Sequence, residues 1–334
     1  GSIVDLLGGP CDLAYRKSLG AKIVQSVKSA LARLEPAKLG HASVDVPEHV
    51  VCRRYFMKPG YEAKNPVTGG NDIIKTNPAG AEQFIDRRAS QPDTELSAVA
   101  VMSASDEWIS VLANYSMHYV GDCANGTITA DYFAVFSRHI AANLKAGKEF
   151  VCMLSNGTSG EANIWDFLQP DRYPKEDHQK KEVIGKDLAA KLSEAIKNMQ
   201  WQANPLLSAA FKNVTLGVRK PSAAEVEAAK EIVSQTDYRL ITPNQEAMVK
   251  IYAREQVLLN EYPDTIEFPV QALKIGDITI GALGGEFFAE TGLTLKKNIN
   301  SGKYFTITMA NGYTGYVPPA HEIAKGGYET WRCR

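Results

Sequence analysis

Thr265-Ile-Glu-Phe-Pro-Val-Gln-Ala-Leu273, then Gly276-Asp277, then Ile278-Thr-Ile-Gly-Ala-Leu283, is the stretch that decides the fold. Two apolar runs separated by a Gly-Asp turn read as strand, turn and strand. Residues 287–298 then suit a helix and residues 303–309 a further strand. Strands linked first by a turn and then by a helix belong to a mixed sheet. The chain is therefore predicted to be α/β, with a mixed β-sheet core, flanking helices and a single large domain.

The same alternation extends toward the N-terminus. Leu13, Leu19, Ile23, Val24, Val27, Ala30 and Leu31 recur at helical spacing within 12–34, and Pro36 ends that helix. Residues 42–57 alternate like strands, through Val50-Val-Cys-Arg-Arg-Tyr-Phe-Met57. Residues 58–95 are rich in Pro, Gly, Asn and Asp with little periodicity, and read as a long functional or mobile loop. Leu96–Met102 and Trp108–Tyr115 suit two strands around a turn at 105–107. A helix over 129–145, a short buried strand over 149–154 and a charged solvated loop over 171–181 follow. Helices fit 183–199, 222–235 and 244–260, with a strand at 213–218, and Ser222-Ala-Ala-Glu225 is a capping-box pattern.

Composition narrows the function classes. The 334 residues are 44% hydrophobic and 22% charged, with a net charge of −1. A near-neutral chain offers no basic field for nucleic acid. Its apolar runs fall far short of the ~20 residues that span a bilayer. Cys11, Cys52, Cys123, Cys152 and Cys333 are an odd, scattered set without a Cys-x-x-Cys. That excludes a zinc ribbon or a disulfide framework and suggests mainly buried thiols.

Four segments carry residue types able to do chemistry. Asn114–Gly121 places His118 at the end of a buried strand; Asp131 could orient its ring, or cap the helix that follows. Gly281-Ala-Leu-Gly-Gly-Glu286-Phe-Phe sets Glu286 between a strand end and a helix start. Its two preceding glycines and apolar neighbours suggest a partly buried carboxylate that needs a cation, whereas Glu290 reads as surface charge. Leu154–Asn163 is a loop of small polar residues, Asn156 and Gly157 among them, able to aim N–H groups at an oxyanion. Its spacing is neither a nucleophile elbow nor a P-loop. Residues 310–331 set Tyr313, Tyr316 and Tyr328 among glycines and prolines, where a phenol can donate a hydrogen bond or bind a metal. Each segment also has a plain structural reading: a core histidine, a glutamate complementing a helix, an ordinary turn.

Taken together, Asn114–Gly121, Thr127–Tyr132, Asn156–Asn163, Tyr262–Val270, Gly284–Gly292 and Asn311–Trp331 resemble the neutral/alkaline non-lysosomal ceramidase family, in the family's order. The resemblance is strongest to its bacterial ceramidase-like hydrolases. It implies a catalytic domain over 1–334 with one Zn2+ held by two histidines, a glutamate and a tyrosine. The matching positions are His118, Glu286 and Tyr316, while Tyr328 matches a catalytic residue that hydrogen-bonds substrate or intermediate. Tyr313 is left to packing.

Three departures accompany the resemblance. The family's other zinc histidine lies in an upstream Thr-His-Thr-His-like segment, which His41 and His49 do not match, so the domain is expected to lack its first strands. Asn163 stands at the catalytic position where the family carries a serine. The C-terminal immunoglobulin-like domain is expected to be missing.

The function so implied, where the native protein supplies the upstream histidine, is zinc-dependent hydrolysis of an amide bond by metal-activated water, with an N-acyl lipid such as ceramide as one candidate substrate. The alternatives are hydrolysis of another amide or ester, or a non-catalytic lipid- or glycan-binding relative. The resemblance further implies a small-molecule or lipid substrate, peripheral membrane contact and an extracellular or periplasmic location. His118, Glu286 and Tyr316 should then converge on one point.

Overall fold

In a computed structural model of the chain, residues 12–242, 244–299 and 302–334 are described. Contacts divide them into two compact units. The smaller comprises the described residues up to Ala37, Arg219–Tyr262 and Arg332–Arg334. It holds three helices, Leu13–Leu31, Ala223–Ser234 and Gln245–Asn260. Asp12 and Asn244 cap the first and last through their side chains. Ser222 and Glu225 form the capping box read from the sequence.

The larger unit, Lys38–Val218 with Pro263–Trp331, carries the sheets. One has five strands in the order Val151–Asn156, Trp108–Tyr115, Glu95–Ser103, Ala37–Asp45, Trp201–Ala203. Its 151–156 strand runs parallel to 108–115, whereas 95–103 is antiparallel to it. The other has four, in the order Leu207–Gly217, Thr265–Ile275, Ile278–Leu283, Tyr304–Thr308. The first three are antiparallel, and the fourth lies parallel to 278–283 after the helix Ala289–Asn298. Both sheets are mixed, and the architecture is α/β.

Period-two alternation explains the layering of this unit. Leu96, Ala98 and Ala100, with Val111, Ala113 and Tyr115, enter a core with Tyr132, Phe136 and Ile140 of the helix Asp131–Asn143 and Ile184, Leu188 and Leu192 of the helix Gln179–Lys197. The intervening Val99 and Leu112 point the other way, into a second core with Ile278, Ile280 and Phe305. The five-stranded sheet thus has helices on one face and the other sheet on its opposite face. Gly185 lets the two helices touch: a Cβ there would lie 2.6 Å from Val135 Cγ1 and 2.9 Å from the Phe136 nitrogen.

Several readings need correction. Residues 58–95 are not one loop; they contain the short strands Ala63–Lys64, Asn71–Asp72, Ile74–Thr76 and Ile85–Arg88. The 151–156 strand is a sheet edge and only half-buried, with Val151 and Met153 exposed. The strand read at 213–218 begins at Leu207. Helix Gln179–Lys197 takes in the end of the loop read at 171–181. Cys52 is buried, Cys123, Cys152 and Cys333 are partly so, and all four are free thiols; Cys11 lies outside the described residues. No described helix is long and apolar enough to cross a membrane.

Candidate functional site

The 108–115 strand delivers His118 into a partly buried position. Asn114 anchors the strand end by donating to the Thr306 carbonyl at 3.0 Å and to Ser155 Oγ at 3.0 Å. Beyond it, His118 Nδ1 lies 2.8 Å from the Ala162 carbonyl oxygen. A carbonyl only accepts, so Nδ1 carries the hydrogen. In a neutral ring Nε2 then holds a lone pair, and it faces Glu286 Oε2 at 3.2 Å. Lone pair against carboxylate is repulsive. A proton held between the two groups, or a cation shared by both, relieves the contact.

Glu286 and Tyr316 are register partners in a two-stranded parallel ladder, 286–287 against 316–317. The preceding glycines allow it. A Cβ at Gly285 would lie 2.8 Å from Thr314 Oγ1 and 2.9 Å from Val317 Cγ2; one at Gly284 would lie 3.3 Å from the Ala310 oxygen. The carboxylate takes a hydrogen bond from Tyr313, at 2.8 Å to Oε1, and the Tyr316 phenol lies near it. Burial works to raise its pKa, but His118 and the two phenols outweigh it and hold the carboxyl below its ordinary range. Tyr313 is therefore a polar partner of the site, not packing alone.

The Tyr316 ring stacks beside His118, with centroids 6.4 Å apart and planes 17° apart, and meets the Tyr328 ring edge-on at 5.6 Å. Burial pushes both phenols above their ordinary pKa, and the nearby Arg53 offsets this only in part. Both are neutral donors unless a further positive charge arrives.

Arg53 is central to this arrangement, and the sequence reading gave it no role. Its guanidinium lies 5.3 Å from the Tyr316 ring centre and 5.2 Å from that of Tyr328. Nε donates to Glu329 Oε1 at 3.0 Å and Nη2 to the Gly160 oxygen at 2.6 Å. Burial alone would lower its pKa, but the Glu329 carboxylate opposes this and the pKa stays above the usual range. Arg54 binds the other Glu329 oxygen at 3.1 Å and Glu322 at 3.0 Å, and Thr76 adds a 2.6 Å bond to Glu329. Two adjacent arginines in an otherwise apolar strand were the available signal, because buried charges need partners.

The remaining candidates fall around this cluster in different roles. Asp131 does not orient the His118 ring; Ala162 does. Asp131 instead accepts from Val120 and Gly121 at 2.9 and 2.8 Å and from Tyr132 at 2.7 Å, at φ +52°, and so shapes the chain just after His118. Nor is it the N-cap, a place taken by Ala130. In the 154–163 loop the Gly157 amide is committed to the Tyr115 oxygen and the Gly160 amide to Phe287, so neither N–H is turned to an oxyanion. The continuing strand register, unseen in sequence, takes the first of these. Asn156 Oδ1 is buried without a hydrogen-bond partner. Asn163 donates to Asn77 at 3.2 Å and accepts from the Trp165 amide at 2.9 Å, so both ends of its side chain are engaged. The buried Glu161 takes the Ala289 amide on both oxygens, at 3.0 and 2.9 Å, and burial raises its carboxyl to about 7.

The donor set fits zinc in kind. His118 Nε2, Glu286 and Tyr316 are one nitrogen and two oxygen donors, and the Nε2–Oε2 spacing of 3.2 Å matches two ligands at ~2.0–2.2 Å on one tetrahedral ion. Among the described residues no group of three or more His, Cys, Asp and Glu could hold a metal, so a site at His118 and Glu286 would need a further donor, for which Tyr316 is placed.

No family model and no curated protein matches the chain. Solved structures do. Neutral ceramidase from Pseudomonas aeruginosa superposes with a TM-score of 0.62 at 18% identity, over 93% of this chain and 51% of that one. A ceramidase complexed with C2 gives 0.61 at 16% identity, over 91% and 51%. The fold is ceramidase-like, and the chain spans about half the length of these solved structures.

Proposed function

We propose that this chain carries the catalytic machinery of a zinc-dependent hydrolase that cleaves an amide bond, of an N-acyl lipid such as ceramide. The observation that supports it is the His118–Glu286 contact, a nitrogen and a carboxylate oxygen 3.2 Å apart that a proton or a cation can bridge, on a ceramidase-like fold. His118, Glu286 and Tyr316 are the residues of this chain that would hold the ion. When bound, zinc supplies a water of lowered pKa and a Lewis acid for the carbonyl oxygen.

The chain's own residues would do the rest. Ala162 fixes the His118 ring so that Nε2 faces inward. Tyr313 holds one Glu286 oxygen, leaving the other toward His118. Tyr328 is a neutral, half-buried O–H donor that can serve a developing oxyanion, with the Arg53 guanidinium against its ring. The test is hydrolysis of a fluorogenic short-chain N-acyl amide by zinc-loaded and chelated protein. Zinc-dependent turnover is expected, and Tyr328→Phe should lower kcat by ~10–100-fold with little change in KM. Absence of turnover in the zinc-loaded protein, or a kcat unchanged in Tyr328→Phe, contradicts the reading.

A non-catalytic lipid- or glycan-binding relative is the second reading. It is favoured by the engaged side chain of Asn163 and the engaged amide of Gly157. Ligand binding without turnover of any amide or ester would select it.

A further inference from the structure

We propose that Asp72 is a positioning residue for Tyr328, clamping the turn that presents the phenol beside Tyr316 and Arg53. The inference rests on the reading of Tyr328 given above. Tyr328 opens a single 3-10 turn, Tyr328–Thr330, entered through Gly326 and Gly327 at φ +81° and +86°. Two successive glycines in the left-handed region are easily distorted, so this backbone does not fix the phenol by itself. It is held from two sides. After Tyr328, Glu329 is locked by Arg53, Arg54 and Thr76. Before it, the anchor is Asp72.

Asp72 Oδ2 accepts the Gly327 amide at 2.9 Å and the Trp331 indole N–H at 2.7 Å, bracketing Tyr328 in sequence. Its other oxygen accepts Asn65 Nδ2 at 2.8 Å, which aims the carboxylate. Hydrogen bonds to an ionised acceptor are the strong ones. The fit is tight: a Cβ at Gly326 would fall 2.1 Å from Asp72 Cγ. The neighbouring backbone joins in, since the amides of Ile73 and Ile74 both reach the Lys325 oxygen, at 2.9 and 3.0 Å. Asp72 hydrogen-bonds none of His118, Glu286 or Tyr316; its three partners are Asn65, Gly327 and Trp331. Its effect on chemistry must therefore pass through the turn. Displacing a donor by ~1 Å can lower a rate by ~100-fold.

Two readouts test this on the zinc-loaded protein. Hydrogen exchange should show Asp72→Asn losing protection over 326–331 with the rest of the larger unit unchanged. With the fluorogenic N-acyl amide, Asp72→Asn should lower kcat by ~10-fold or more, with KM within about twofold. In a Tyr328→Phe background the same change should add less than about twofold, because both act through one phenol. Trp331→Phe removes one of the two N–H partners and should move both readouts in the same direction; it carries the test if Asp72→Asn does not fold. Unchanged exchange over 326–331, or a full additional kcat loss in the Tyr328→Phe background, overturns the proposal. A kcat unaffected by Tyr328→Phe overturns the role of Tyr328 instead, and the exchange measurement shows separately whether the clamp exists.

Discussion

Two ionic contacts meet at the tyrosines of the larger unit, and they are built in opposite ways. Glu329 is fully buried, and its oxygens are shared among Arg53, Arg54 and Thr76. Every charge there has its counterpart in the chain, so the network is complete as folded. The His118–Glu286 pair keeps 16% and 14% of its side chains exposed, and its facing atoms are incompatible unless a proton or cation joins them. The first contact is scaffold, and the second is where the proposed zinc would sit. What separates them is not burial or charge alone. It is whether the donors and acceptors close on one another.

Breaking the closed contact should have the largest effect on folding. Glu329→Ala leaves two buried guanidinium groups short of a partner, and removing one member of a buried pair costs about 3–5 kcal/mol. Chemical denaturation should show a loss of that size, and one below about 1 kcal/mol would mean that the network is not as closed as its geometry implies.

A smaller, pH-dependent effect is expected at Glu161. Its carboxyl is raised by burial from the ordinary carboxylate range to about 7, so the neutral form is favoured in the folded state. That contribution is fully present below about pH 4.5, declines as pH rises toward about 7, and is flat above it. Glu161→Gln keeps the neutral shape. Its stability relative to the parent should therefore improve across that window, by up to roughly 1 kcal/mol per pH unit. A difference independent of pH between 4.5 and 7 would contradict this.

Tyr313→Phe is the mildest perturbation of the open contact. The phenol is exposed and gives Glu286 one of several bonds, so global stability should shift by less than about 1 kcal/mol. Zinc affinity should weaken modestly, within ~10–100-fold, as for loss of an outer partner of a metal ligand. Isothermal titration would read this directly.

The open contact was more legible in sequence than the closed one, for physical reasons. Paired glycines before Glu286 and a histidine at a strand end are local marks, and close approach of the 310–317 loop is what those glycines serve. The strand-turn-strand-helix-strand order that gives the α/β class is likewise local. Arg53 and Arg54 find Glu329 about 275 residues away, a separation no periodicity encodes. Asp131 was read toward His118 because carboxylates often orient such rings. The true partner is the Ala162 carbonyl, and backbone acceptors leave no residue signature. The strands within 58–95 are two to four residues long, too short for alternation to show. The reach of Tyr313 to Glu286 depends on the fold of the glycine-rich loop, which its own residue type does not show.

The most direct test of the open contact is zinc stoichiometry in purified protein, compared with His118→Ala and Glu286→Gln. The parent should hold ~1 zinc per chain, and both variants should lose most of it with little change in stability without metal. A parent that takes up no zinc, or variants that keep the parent's full content, would contradict it.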